Sequence, residues 1–190
     1  MEELIEIRWH GRGGQGVVTA GKLLAETALG TGRYFQAFPD YGPERMGAPI
    51  RAFTRLSARP ITIHSQIEQP DVVLVLDSTL LGTVAVAEGL KEEGVLVVNT
   101  SMSPAQVREA TGFHTGQAVT VDASHIAIEE MGRDITNTPM LGAFARATGI
   151  FDIEELAGQL RAWFATRISA QAVEANVRAM RRAAEELQRG

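Results

Sequence analysis

The chain has 190 residues, 45% of them hydrophobic and 22% charged, with a formal net charge of -5. These values suit one large or two small globular domains, and they exclude global disorder and a dedicated, basic nucleic-acid binder. The absence of cysteine excludes disulfides, cysteine-ligated iron–sulfur clusters, thiolate zinc sites and a thiol nucleophile within the chain.

The acidic start Met1-Glu2-Glu3 leads straight into a strand pattern, so no signal peptide is predicted. No apolar run approaches the roughly 18 residues of a membrane span, and a cytoplasmic protein is the expectation. Residues 4–9 read as a strand, followed by the glycine-rich turn Gly11-Arg12-Gly13-Gly14-Gln15-Gly16. Val17, Val18, Gly21, Leu24, Ala25 and Ala28 then recur at helical spacing, opposite Lys22 and Glu26, and Gly30 and Gly32 end that helix. With a second strand over 33–38, the first forty residues read as a parallel βαβ unit.

Two prolines and two glycines make residues 39–48 a loop. Short strands are predicted at 49–56 and 61–64, and the all-apolar run Val72–Leu76 suits a strand buried on both faces. A helix over 79–92 is predicted next, then a buried strand at 95–98. Ser103-Pro104-Ala105-Gln106 carries a helix start with a capping box, Ala118–Val121 is one more strand, and Asp122 or Ser124 can cap the helix after it. From residue 138 onward no strand pattern is visible. Asp152 opens an acid-led helix, and Val173, Val177, Met180, Ala184 and Leu187 form the apolar seam of the last one. The whole chain, residues 1–190, thus reads as one α/β domain: a doubly wound, mostly parallel sheet with helices on both faces and a helical C-terminal third.

Chemistry concentrates at the glycine turn. Positions 11–16 match G-x-G-x-x-G between a strand and a helix, the context that motif requires. Glycines permit tight, positive-φ backbone and close ligand approach, while free N–H groups at a helix start attract an anion. Arg12 adds a charged fork, and nearly every basic residue is arginine, only Lys22 and Lys91 being lysine. The competing reading is a turn whose glycines serve packing alone. A dinucleotide site would need an acid near the end of the second strand, where Asp40 is the candidate. Asp77-Ser78 sits where open α/β sheets place ligands, and reads first as a helix cap. His10, His64, His114 and His125 show no metal-ligand spacing; His10 abuts the turn and is the one placed to donate to an anion.

Four segments carry a family resemblance: Gly11-Arg12-Gly13-Gly14-Gln15-Gly16-Val17, Tyr41-Gly42-Pro43-Glu44-Arg45-Met46-Gly47-Ala48, Ile67-Glu68-Gln69-Pro70-Asp71-Val72 and Asn137-Thr138-Pro139-Met140-Leu141-Gly142-Ala143. In order and spacing the chain resembles the gamma subunit of 2-oxoacid:acceptor oxidoreductases, the pyruvate:ferredoxin oxidoreductase superfamily. It departs from the family's usual Arg-Gly-Gly at Arg45-Met46-Gly47-Ala48. The resemblance implies a doubly wound domain that helps assemble the complex and handle coenzyme A. It puts thiamine diphosphate, magnesium and iron–sulfur clusters on partner alpha, beta and ferredoxin-like delta subunits, with ferredoxin or another acceptor taking the electrons. No cofactor is then held within this chain, apart from contact with coenzyme A, and no nucleic acid or membrane is engaged. Catalytic side chains are not expected here. The implied binding residues are Gly11, Arg12, Gly13, Gly14, Gln15, Gly16, Asn137 and Thr138, although Asn137 and Thr138 equally suit a helix start. Two other functions compete: an NAD-linked Rossmann-type oxidoreductase, and a scaffold subunit whose turn holds no ligand.

Overall fold

The computed structural model describes residues 4–30, 32–40 and 47–190. Successive side chains of a strand point to opposite faces, and β1 (Leu4–Arg12) sorts its residues by that rule. Ile7 and Trp9 enter a large apolar core on one face, whereas Arg8 and His10 are buried on the other. The remaining strands are β2 (Tyr34–Pro39), β3 (Pro49–Ser57), β4 (Val72–Val75), β5 (Val95–Asn99), β6 (Gln117–Val121) and the short β7 (Gln188–Arg189). They form one seven-stranded sheet in the order β2-β3-β1-β4-β5-β6-β7. Pairings β1–β4, β4–β5 and β5–β6 are parallel, while β2–β3, β3–β1 and β6–β7 are antiparallel. The fold is therefore α/β and doubly wound on a mixed sheet. The expected βαβ unit is split: β2 does run parallel to β1, but β3 lies between them. Strand β3 pairs antiparallel with both, because the β2–β3 pair enters the sheet as a unit and β3 finds register along the full length of β1.

Helices α1 (Val17–Gly30), α3 (Ala123–Met131), α4 (Asn137–Thr148), α5 (Ile153–Phe164) and α6 (Ala170–Glu185) cover the face of Ile7 and Trp9. Of the described helices only α2 (Pro104–Thr111) lies against the second face, where Val107 joins Val73, Val75, Leu96 and Val98. Helix starts follow local chemistry. Ser103 and Gln106 form the reciprocal capping box with Pro104 in the first turn, Asp122 rather than Ser124 caps α3, and Asp152 caps α5. On α6, Val173, Val177, Met180 and Ala184 are buried; Leu187 lies beyond its end and packs partly against the core.

Three expectations are corrected. Residues 61–64 form no strand. The Ile63 carbonyl is drawn elsewhere, accepting from Gln36 Nε2 (3.0 Å) and from Nη1 of the buried Arg55 guanidinium (3.4 Å), which also donates to Ser65 O just beyond (2.8 Å). The helix over 79–92 is reduced to a single 3-10 turn, Ser78–Leu80, followed by a chain of tight turns. Here Val86 O and Glu88 O accept from Arg8 Nη2. Gly89 takes φ +69 with Glu68 O only 2.1 Å from where a Cβ would sit, which a continuous helix cannot supply. Finally β7 adds a strand after the helical third, antiparallel to β6. Residues 41–46 of the expected loop, with Tyr41, Glu44 and Arg45, lie outside the described residues.

The tightest helix contact is α4 on α6. A Cβ on Gly142 would fall 1.9 Å from Met180 O, a backbone atom that cannot swing aside. Overpacking of this kind typically costs about 1–3 kcal/mol and occasionally more. Gly142→Ala is expected to lower unfolding stability by at least about that amount in urea titration, with an unchanged slope.

Candidate functional site

Strand β1 runs on through the first two residues of the glycine motif, Gly11 opposite Ile50 and Arg12 opposite Pro49. The turn proper is thus Gly13–Gly16, and α1 starts at Val17. Leu76 N–H donates to His10 O at 2.8 Å, and beyond that bond β1 and β4 part. From β1 the chain passes to β2 and β3 on one side, then crosses to β4 on the other. The glycine turn therefore stands at the carboxyl ends of the strands, at the topological switch point.

The glycines divide their work. A Cβ on Gly11 would lie 2.5 Å from Val17 Cγ2, so Gly11 allows the helix to close on the strand. Gly14 and Gly16 take φ +96 and +75. Gly13 N–H is spent on Ala48 O (3.0 Å) and Gln15 N–H on Arg12 O (3.1 Å). The N–H groups of Gly14 and Gly16 have no partner among the described residues. The first turn of α1 adds further N–H groups without helical partners, at the positive end of its dipole.

Two polar clusters flank the turn. On the β4 side, Arg12 N–H donates to Gln15 Oε1 (2.7 Å) and Gln15 Nε2 donates to Asp77 Oδ2 (2.8 Å). The same carboxylate oxygen pairs with Arg12 Nε at 3.2 Å. Its other oxygen accepts from Thr79 N–H (2.9 Å) and Thr79 Oγ1 (2.6 Å). Arg12 Nη2 donates to Thr79 Oγ1 (2.8 Å) and Nη1 to Gly47 O (3.1 Å). Partial burial works against charging Asp77, yet the bonds from Thr79 and Gln15 and the Arg12 charge outweigh it and hold the carboxyl below its ordinary range.

On the α4 side stand Asn137 and Thr138. The N-cap position belongs to Thr136, which makes no side-chain cap bond, so Asn137 is the first helical residue rather than the cap. Its Oδ1 accepts from Thr138 N–H at 2.8 Å, and Thr138 Oγ1 is 3.0 Å from Asn176 Oδ1. Asn137 Nδ2 reaches Gly16, 3.2 Å from where a Cβ would be. Asn137 is only 8% exposed, and that amide nitrogen has no hydrogen-bond partner among the described residues. The structure thus brings both sequence-predicted groups to the turn but on opposite flanks: Arg12 with Gln15 toward β4, and Asn137 with Thr138 toward α6.

Two other candidates fall away. His10 does not donate to an anion at the turn: its Nε2 accepts from Arg8 Nε at 3.1 Å on the buried face. Burial first, then the charges of Arg8 and Arg51, push its pKa down to about 3. Asp40 is taken by Arg51 (2.6 Å) and by Gln66 Nε2 (2.9 Å), so it is not poised for a ribose. Sequence reasoning weighed Asp77 as a cap, which it is, but missed its link to Arg12 and Gln15. The rule that ligands bind where strand order reverses marks that position, once β1 and β4 are known to be neighbours. Thr79 and Asn176 carried no signal.

The model of the family described as pyruvate ferredoxin/flavodoxin oxidoreductase matches residues 6–186. The chain belongs to that family. It is similar to the pyruvate synthase subunit PorC of Thermotoga maritima, 48% identical over 186 residues that cover 98% of this chain and 96% of the relative. It is 49% identical over 185 residues to the common gamma subunit of the pyruvate and ketoisovalerate oxidoreductases of Pyrococcus abyssi, covering 97% and 98% of the two. The crystal structure of the Thermotoga maritima pyruvate oxidoreductase subunit PORC superposes with a TM-score of 0.88 at 46% identity, covering 100% of this chain and 99% of that one. Within the family this chain is of the gamma type. No helix of the described residues is long and apolar enough to cross a membrane.

The neutral His10 of this gamma-type fold has a consequence for stability. Its folded pKa of about 3 lies below the ordinary value of 6.5, so between those values the unfolded chain binds the proton and the folded one does not. The contribution of His10 is complete above about pH 6.5 and is lost as pH falls from there through about 3. His10→Gln is expected to flatten that part of the stability-versus-pH curve, measured by urea unfolding at stepped pH.

Proposed function

We propose that this chain serves as the gamma subunit of a cytoplasmic, multi-subunit 2-oxoacid:acceptor oxidoreductase, and that its glycine turn takes a phosphate of coenzyme A. The observation that carries the ligand reading is the nine-tenths-buried Asn137, whose unpartnered amide nitrogen lies against Gly16 of the turn. An amide nitrogen with no protein partner among the described residues keeps a donor free beside the turn for an arriving acceptor. The unspent N–H groups of Gly14 and Gly16 and the helix start add donors to the same place.

Alpha and beta subunits and a ferredoxin-like delta subunit are the partners in this reading, with thiamine diphosphate, magnesium and iron–sulfur clusters on them. When bound there, thiamine diphosphate supplies the carbanion chemistry of decarboxylation. This chain has no cysteine for a cluster, and its own role is to hold and orient. The Pyrococcus abyssi relative is named as common to pyruvate and ketoisovalerate oxidoreductases. A subunit shared by two oxidoreductases is a poor place to select the 2-oxo acid, which puts that choice on the partners.

A charge-assisted hydrogen bond contributes about 1.5–3 kcal/mol, which corresponds to roughly 10- to 100-fold in affinity. Arg12→Ala in the reconstituted complex is expected to raise the apparent KM for coenzyme A by that factor. The KM for the 2-oxo acid should stay nearly unchanged. Gly14→Val should act more severely, because a β-branched residue resists the φ of +96 found there. Unchanged coenzyme A dependence with weaker subunit assembly would make the turn an interface element, and the scaffold reading would stand.

A further inference from the structure

Arg12 lies partly in solvent, on a long side chain with considerable rotamer freedom to lose. An exposed arginine of that kind is a poor anion ligand unless something holds it. Here the Nε and Nη2 side of the guanidinium is engaged by Thr79 Oγ1 at 3.2 and 2.8 Å, and Nη1 is tied to Gly47 O. A guanidinium has five N–H groups, so the edge between the two terminal nitrogens keeps donors to spare. That edge can meet a phosphate or carboxylate in a two-pronged fashion.

All the ties converge on one carboxylate. Asp77 Oδ2 receives Gln15 Nε2 and Arg12 Nε, while Oδ1 receives both the amide and the hydroxyl of Thr79. Gln15 in turn fixes the backbone of the turn through Arg12 N–H. Asp77 is itself anchored as the cap of the 3-10 turn after β4, so the network joins the two strands that part at the switch point.

We infer that Asp77, acting through Thr79 and Gln15, is the positioning residue of this site: it holds the Arg12 guanidinium and the glycine turn in the geometry that receives an anion. The inference rests on the reading of the turn as a phosphate site and adds what prepares it. It also has an unusual sign. A carboxylate beside an anion site repels the ligand, so on charge alone its removal should tighten binding. If Asp77 serves to position, its removal weakens binding although the repulsion is gone.

Inorganic pyrophosphate, titrated calorimetrically into the full-length chain, reads that sign. Asp77→Ala is expected to weaken pyrophosphate binding about tenfold, equivalent to roughly 1.4 kcal/mol. Thr79 is exposed, so its variants leave the core intact. Thr79→Val should reproduce part of the loss, and Thr79→Ser, which keeps the hydroxyl, should restore binding. In the reconstituted complex the same variants should raise KM for coenzyme A with little change in kcat. Amide hydrogen exchange on the ligand-free chain gives an independent measure: the Arg12 N–H, bonded to Gln15 Oε1, should exchange faster in Asp77→Ala. Tighter or unchanged pyrophosphate binding in Asp77→Ala would overturn the inference and leave the phosphate reading standing. If the wild-type chain binds no pyrophosphate while Arg12 exchange still accelerates in Asp77→Ala, the phosphate reading falls, and Asp77 is confirmed only as the organiser of the turn.

Discussion

The parallel pairing of β1 and β4 ends with Leu76 N–H on His10 O, and beyond that bond the two strand ends part. Backbone pairing can no longer hold the two strand ends together there, so side chains must. Asp77 does so by reaching across to Arg12 and Gln15 while its own backbone turns away into the 3-10 segment. The strands part there because the chain crosses β1 on its way from β3 to β4, which makes this the topological switch point of the sheet. What stands at that point depends on residue chemistry, and here it is a glycine turn with unspent amides between an arginine and a largely buried asparagine.

The two faces of the sheet are covered by different physics. Toward α1 and the C-terminal helices, contact is apolar, with Trp9 fully buried and its indole N–H satisfied by Thr54 Oγ1 at 3.1 Å. On the opposite face of β1 and β3 the covering segments are irregular, and their carbonyls need donors. Arg8 supplies Val86 O and Glu88 O, and Arg55 supplies Ser65 O while pairing with Glu6 at 2.9 Å. A guanidinium suits this position because one planar group satisfies several carbonyls at once and stays charged when buried. The cost falls on His10, which is kept neutral so that Nε2 can accept from Arg8.

That second face is where the sequence was least legible. Elements set by local chemistry were readable: the all-apolar β4, the caps at Ser103, Asp122 and Asp152, and the strand–glycine–helix entry into α1. Residues 79–92 read as a helix, but the carbonyls of Val86 and Glu88 are claimed by Arg8, which lies more than seventy positions earlier. Residues 61–64 alternate like a strand, but Arg55 and Gln36 hold their backbone as a strap. A distant side chain overriding a local pattern leaves no trace within the pattern itself. The site behaved in the same way. Gly11, Arg12, Gly13, Gly14, Gln15 and Gly16 could be picked out as a motif, and Asn137 by family likeness. Thr79 and Asn176 become visible only once the chain has brought their neighbours together.

The two flanks of the turn also differ in how they feel the solvent. Arg12 is partly exposed and already shares its charge with Asp77, so its attraction for an anion is screened by salt and discounted by the ion pair. Asn137 is neutral and largely buried, and its amide nitrogen, which has no partner among the described residues, keeps a donor free beside the turn. The glycine amides are likewise neutral donors, held in place by the positive φ that Gly14 and Gly16 take. On the proposed reading of the turn as a phosphate site, a weak charge draws the anion in and neutral donors retain it. Such a division is what the proposed site requires in a chain of net charge -5, because it does not depend on a basic surface.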